Sequence, residues 1–215
     1  MNTYNKRLLP YRSVNESDIV NEYALDRTGD YGMFVKVSRG DSNDIQGQVA
    51  ASYGASFDRV TSPRWGVKNE ITPTVSGDDK WDLLGVTLFN TYEVDENGIP
   101  LKFYRQKLTE LHAVLSGHAC PVATRGRFTL GVDACTVTGG ALGTGAGQGF
   151  PSPGWVGCIS DFAAGELDFV PTSRVNTTGG SAGNTEGYYT NEQVVAKVLA
   201  TGQELGGSVY IQLGV

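Results

Sequence analysis

The two histidines and three cysteines are the side chains of this chain with the widest chemical reach. His118 and Cys120 flank Ala119, and Cys135 follows. A structural zinc site needs four well-spaced ligands, usually including a Cys-x-x-Cys or a paired-histidine knuckle, and the chain has neither. A nucleophilic pair would take His112 or His118 with Cys120, Cys135 or Cys158. It would need a thiolate stabilised by neighbouring cations, and only Arg125 and Arg127 stand close in sequence. The cysteines are therefore read as small buried apolar residues.

Carboxylates fall in two groups, Asp78, Asp79 and Asp82, and Glu93, Asp95 and Glu96. Paired carboxylates serve acid–base catalysis or calcium binding. Asp95-Glu96-Asn97-Gly98 lacks the alternating acids and terminal glutamate of an EF-hand loop, so it reads as a turn. The glycines of Gly143-Thr144-Gly145-Ala146-Gly147-Gln148-Gly149 are followed by Phe150-Pro151-Ser152-Pro153-Gly154. That text cannot open the helix a dinucleotide loop requires, and no Gly-Lys-Ser/Thr supplies a P-loop. No acid–base–nucleophile set emerges, so the expectation is a non-enzyme with no metal or cofactor.

The elements that would position any site are short and β-like. Asn97-Gly98 between apolar runs is a strong hairpin signal, with Trp81 to Thr91 and Ile99 to Tyr104 as the expected arms. Gly32 to Val37, Val122 to Leu130 (with Gly126 as a bulge or bend), Cys135 to Thr138 and Phe162 to Val170 read as further strands. Val194 to Leu199 and Ser208 to Leu213 read as a terminal hairpin. Ser17 to Leu25 is expected to form a short helix capped by Ser17, with Ile19, Val20 and Tyr23 on its buried face. Arg105 to Ser116 fits a helical face through Leu108, Leu111 and Leu115, or a strand beginning at His112. Val60 and Trp65 to Val67 carry no clear pattern.

Gly supplies 29 of the 215 residues, about twice the ordinary share, which favours turns and irregular loops over long helices. The expected fold is mainly β: a β-sandwich or β-barrel of short antiparallel strands, with an extended N-terminal arm and long Gly-rich loops. The arm and short helix take residues 1–26. A single β-rich body takes residues 27–215, with Gly-rich loops near 139–157 and 175–187.

The net charge of −6 is uneven. Residues 1–127 carry 15 Lys and Arg against 16 Asp and Glu, whereas residues 128–215 carry 2 against 7. An acidic, lysine-poor half is a poor nucleic-acid binder, because phosphate contacts need clustered cations. An odd cysteine count without CxxC pairing is no disulfide framework, which implies a reducing compartment. No leader-like apolar segment opens the chain, and no apolar run approaches the length that spans a bilayer, so no membrane role is expected. Residues 1–15 carry Lys6, Arg7 and Arg12 with no acid, interleaved with Tyr4, Leu8, Leu9, Pro10 and Tyr11. A basic arm with aromatic and aliphatic anchors suits an interface, and these eight residues are the candidate contact set.

Several stretches resemble structural proteins of tailed-bacteriophage heads. They are Pro10 to Asn21, Leu84-Gly85-Val86-Thr87-Leu88, Asp95-Glu96-Asn97-Gly98, Phe103, Leu115-Ser116-Gly117 and Pro121-Val122-Ala123-Thr124-Arg125-Gly126. Ala196-Lys197-Val198-Leu199 with Val209 to Leu213 resembles the last hairpin of capsid-associated β-barrels. The Gly-rich stretch 139–157 matches no part of that pattern. The resemblance implies a capsid decoration (cement) protein, made in the host cytoplasm and carried on the virion surface. Its partners would be the major capsid protein lattice and further copies of itself, with no nucleic acid and no catalytic residues. The alternative is a carbohydrate- or receptor-binding β module of a tail or fibre. There Trp65, Trp81, Trp155, Tyr188 and Tyr189 would stack on sugars.

Overall fold

A computed structural model describes residues 8–25, 31–39, 69–92, 94–101, 104–115, 118–131, 134–137, 140–141, 150–160, 164–176, 189–202 and 208–214. The described chain is mainly β, with one short helix. Its larger sheet has eight strands. In spatial order they are β1 (Leu8–Ser13), β10 (Gly126–Gly131), β18 (Ser208–Leu213), β17 (Val194–Gly202), β13 (Val156–Ile159), β14 (Leu167–Val170), β11 (Cys135–Val137) and β12 (Gly140–Ala141). The second sheet has six, in the order β2 (Ile19–Val20), β9 (Val122–Ala123), β6 (Leu83–Thr87), β4 (Phe34–Arg39), β5 (Asn69–Pro73) and β3 (Tyr23–Leu25).

The six-stranded sheet curls like a barrel wall. β2 and β3 occupy its opposite ends yet are separated by only Asn21 and Glu22. Segment 19–25 therefore serves both edges, pairing antiparallel with β9 and parallel with β5. An Ala24–Ala119 bridge and the Cys120 N–H donated to the Tyr23 carbonyl at 2.8 Å draw the ends together. This corrects the helix expected at Ser17 to Leu25. Glu16–Asp18 makes one 3-10 turn without a side-chain cap, and the β-branched and aromatic residues after it extend into the two sheet ends. Residues 8–25 are thus built into both sheets, and the boundary expected at residue 26 does not set them apart from the body.

Period-2 alternation divides the apolar residues between cores. Phe34, Val86 and Ala123 of the curled sheet meet Leu8, Phe128, Leu130, Ile159, Leu167, Phe169, Val198, Val209, Ile211 and Leu213 of the larger sheet in the main core. Their neighbours Leu25, Met33, Val35, Ile71 and Val122 point the other way, into a second cluster. Gly85 lies so close to β9 that a Cβ there would overlap the Ala123 carbonyl, so only glycine lets these strands approach. Gly126 is where the chain leaves β9 for β10 and changes sheets. Its φ is +144°, and a Cβ would lie 2.9 Å from the Ser13 carbonyl oxygen. The bulge expected there is this corner.

The Asn97-Gly98 turn forms, with Gly98 at φ +78° and the Asp95 carboxylate accepting from the N–H groups of Asn97 and Ile99, both at 2.8 Å. Its expected arms do not form a ladder. Among the described residues one bridge, Val94–Pro100, closes the turn, while Leu83–Thr87 is paired with β4 and β9 on its two sides. Both readings of Arg105 to Ser116 are realised in turn. Helix α1 (Arg105–Glu110) is followed by β8 (Ala113–Leu115), which pairs parallel with β7 (Asn90–Tyr92). The terminal hairpin is present as β17 and β18. β15 (Val175–Asn176) pairs parallel with β16 (Tyr189–Thr190), so the two ends of stretch 177–188 lie side by side. That stretch, residues 139 and 142–149 of the loop expected at 139–157, Val60 and Trp65 to Val67 lie outside the described residues, while β12 and the start of β13 occupy the two ends of the expected loop.

Candidate assembly surface

Of the eight candidate contact residues, Tyr4, Lys6 and Arg7 lie outside the described residues. Leu8, Leu9, Pro10, Tyr11 and Arg12 belong to β1. This strand pairs only with β10, so its other edge has no partner strand among the described residues. Leu8 is 2% exposed and sits in the main core, where it anchors the strand and is not offered to a partner. Leu9 is half-buried and Arg12 is exposed. Between Leu8, opposite Leu130, and Arg12, opposite Phe128, β1 carries two more residues than β10. Pro10 falls inside that irregularity. Proline has no N–H to donate, so a bulged, proline-bearing edge is poorly suited to adding another strand. The chain before Leu8, with its two cations, leaves from the start of this edge strand.

The described acidic side chains of residues 78–96 are bonded within the fold. All three cysteines are buried, and none is in a disulfide. Burial raises the Cys120 thiol to about 11, so it stays protonated at neutral pH and is no nucleophile. Asp78 takes Lys36 Nζ at 2.6 Å on one oxygen and the Val75 N–H at 2.7 Å on the other. Asp79 accepts from the Trp81 N–H at 2.8 Å, and Asp82 from the Asp79 N–H at 3.1 Å. The N–H bonds from Ile99 and Asn97 hold the Asp95 carboxyl below its usual range. Glu96 is held low by Lys107, whose ammonium lies 2.8 Å away and is raised in turn. Among the described residues, no three His, Cys, Asp or Glu side chains gather as metal ligands. No described helix is long and apolar enough to cross a membrane.

The aromatic residues of the alternative reading separate. Trp65 and Tyr188 lie outside the described residues. Trp155 packs against the main core. Tyr189 is buried, and its hydroxyl donates to Asp168 Oδ2 at 2.7 Å. Of the described members of this set, Trp81 projects into solvent, at 79% exposure, with Lys80 Nζ 5.3 Å from its ring centroid. The fully buried Asp168 escaped sequence reasoning. Its signal was a lone acid between Leu167 and Phe169, whose own side chains face the main core. Asp168 therefore faces the opposite side, towards Tyr189 and the cluster formed by Cys158, Val170 and Val194.

No protein-family model, curated protein or solved structure matches this chain.

Proposed function

We propose that this protein is a structural component of a tailed-phage head, of the decoration (cement) kind, which binds the capsid lattice through its N-terminal arm and loops. The observation that carries the reading is the course of the segment resembling phage head proteins. Residues 10–21 run from the open edge of the larger sheet into the curled sheet, and residues 1–7, with Lys6 and Arg7, directly precede that edge strand in sequence. An extension tied to a rigid body adds contacts without a second folded unit, and many copies on one lattice multiply weak contacts into avidity. The described thiols are buried and Asp78 and Asp95 are bonded within the fold, which suits a scaffold. On this reading the protein resides on the virion surface.

The test is co-sedimentation with phage heads lacking their own decoration, comparing the full chain with a chain lacking residues 1–7. The full chain is expected to bind, and the truncated chain to bind at least about tenfold more weakly, a change of 1.4 kcal/mol. Failure of the full chain to bind heads refutes the function. Equal binding by both refutes the role of the arm.

Trp81 supports a second reading, a sugar-binding module, because an exposed indole is a stacking platform. Glycan binding that is lost in Trp81→Ala, without any binding to heads, would favour it.

A further inference from the structure

We propose that the outward face of β1, β10, β18 and β17 docks a second copy of this chain, receiving the acidic corner that carries Trp81. The inference concerns contacts between copies and stands whether or not the partner lattice is a phage capsid.

The face is defined by register. Lys197 pairs with Gln212, Gln212 with Arg127, and Arg127 with Ser13, so the four form one row across four strands. All four are exposed, while Ala196, Val198, Ile211, Leu213 and Phe128 beside them face the core. Thr129 and Tyr210 form the next pair on the same side. Arg125 lies just before β10, with its aliphatic stem against Gly214. None of the four strands contains Asp or Glu. No carboxylate among the described residues pairs with Arg12, Arg125, Arg127 or Lys197. Strands lie about 4.8 Å apart, which puts the backbones of Lys197 and Arg127 about 10 Å apart. That is near the Debye length, so the like charges tolerate each other while still summing into a local positive field. A chain of net charge −6 thus presents a cationic sheet face.

Its complement lies on the same molecule. The loop 75–82 is fixed by the Asp78, Asp79 and Asp82 bonds and by the Lys80 N–H, which donates to the Glu192 carbonyl at 2.7 Å. This brings Asp79, Asp82 and Glu192 around the exposed Trp81, with exposed Val75 on the same loop. Three carboxylates against the single ammonium of Lys80 leave the corner negative, and an exposed tryptophan beside them is a typical interface anchor. Opposite charge on two preformed surfaces gives specificity and speeds encounter. The row with Tyr210 gives the indole a surface to lie on.

The test uses the full chain in sedimentation velocity at low and high salt. Concentration-dependent self-association is expected, weakened by salt. Arg127→Glu/Lys197→Glu and, separately, Asp82→Lys/Glu192→Lys should each weaken it by about tenfold or more. Trp81→Ala should do the same. Because the two charge variants retain complementary surfaces, mixing them should restore association. Arg127→Gln/Lys197→Gln, checked for unchanged melting, guards against a folding defect. A wild-type chain that stays monomeric, undiminished association in either charge variant, or no recovery on mixing overturns the proposal. So does duplex-DNA binding that depends on Arg127 and Lys197 in a chain that does not self-associate. Head binding is scored separately, so failure here is distinguishable from failure of the decoration function.

Discussion

Replacing Leu8 with alanine separates the part of the N-terminal segment that folds from the part available to a partner. Leu8 is 2% exposed, sits opposite Leu130 and packs in the main core with residues of both sheets. Truncating a buried leucine costs about 2–5 kcal/mol, depending on how far the site collapses. β1 is an edge strand with an irregular register, so relaxation should hold the cost near the lower end, about 2–3 kcal/mol. For a chain of this size that corresponds to a melting shift of about 4–12 °C, at 2–4 °C per kcal/mol. Deleting residues 1–7 removes none of the described core side chains and should leave the melting temperature within about 2 °C. Thermal melting followed by circular dichroism measures both. A Leu8→Ala chain that melts like the wild type would refute the placement of β1. Equal loss in both variants would refute the division of the segment at Leu8. The same reasoning makes a deletion through residue 13 a poor probe of docking, since it removes a core residue and a strand together.

Gly85→Ala should destabilise by more than about 1–3 kcal/mol, the usual cost of overpacking, because the obstacle is the Ala123 backbone carbonyl; a urea midpoint equal to the wild type would contradict the close approach of β6 and β9. Tyr189→Phe removes a hydrogen bond to a fully buried carboxylate and should cost about 1.5–3 kcal/mol, read by the same midpoint; an unchanged midpoint would contradict the Tyr189–Asp168 bond. For Cys120, burial favours the neutral thiol in the folded state, with a value of about 11 against the ordinary 9.0. Its contribution is therefore complete below pH 9.0 and lost as pH rises towards 11, so Cys120→Ala should show a flatter alkaline decline in stability than the wild type; parallel declines would contradict this.

Local pattern located those elements whose partners are near in sequence or whose alternation is strong. The terminal hairpin and the strands at Phe34 and Leu167 needed no distant information, because each alternates cleanly or is bounded by turns. Ser17 to Leu25 misled because the spacing of Ile19, Val20 and Tyr23 matches a helix face as well as two short strands. The choice was made by β9 and β5, which lie far along the chain, and long-range pairing overrides weak local propensity. Leu84 to Thr91 had the opposite fault. A valid turn signal at Asn97-Gly98 was extended into a ladder, while the residues before it were claimed by β4 and β9. Tyr189 and Asp168 are 21 residues apart, and nothing in either stretch announces the other.

Charge was the least legible property, and the reason bears on function. Counting by halves gives residues 128–215 a net of −5, from 2 cations against 7 acids, which reads as a surface repelling anionic partners. Folding does not preserve halves. The corner at Gly126 carries Arg127 from the charge-balanced half into the sheet built from the acidic half, and β1 brings Arg12 to its edge. Lys197, the only lysine after Lys107, falls in register with them. Of the described acids of the second half, Asp168 is buried against Tyr189, and the Glu192 carbonyl takes the Lys80 N–H of the Trp81 loop. A partner meets a face, not a segment average, and short-range screening makes the face the relevant unit. The described surface is therefore uneven in charge, cationic on one half-sheet and anionic at the Trp81 corner.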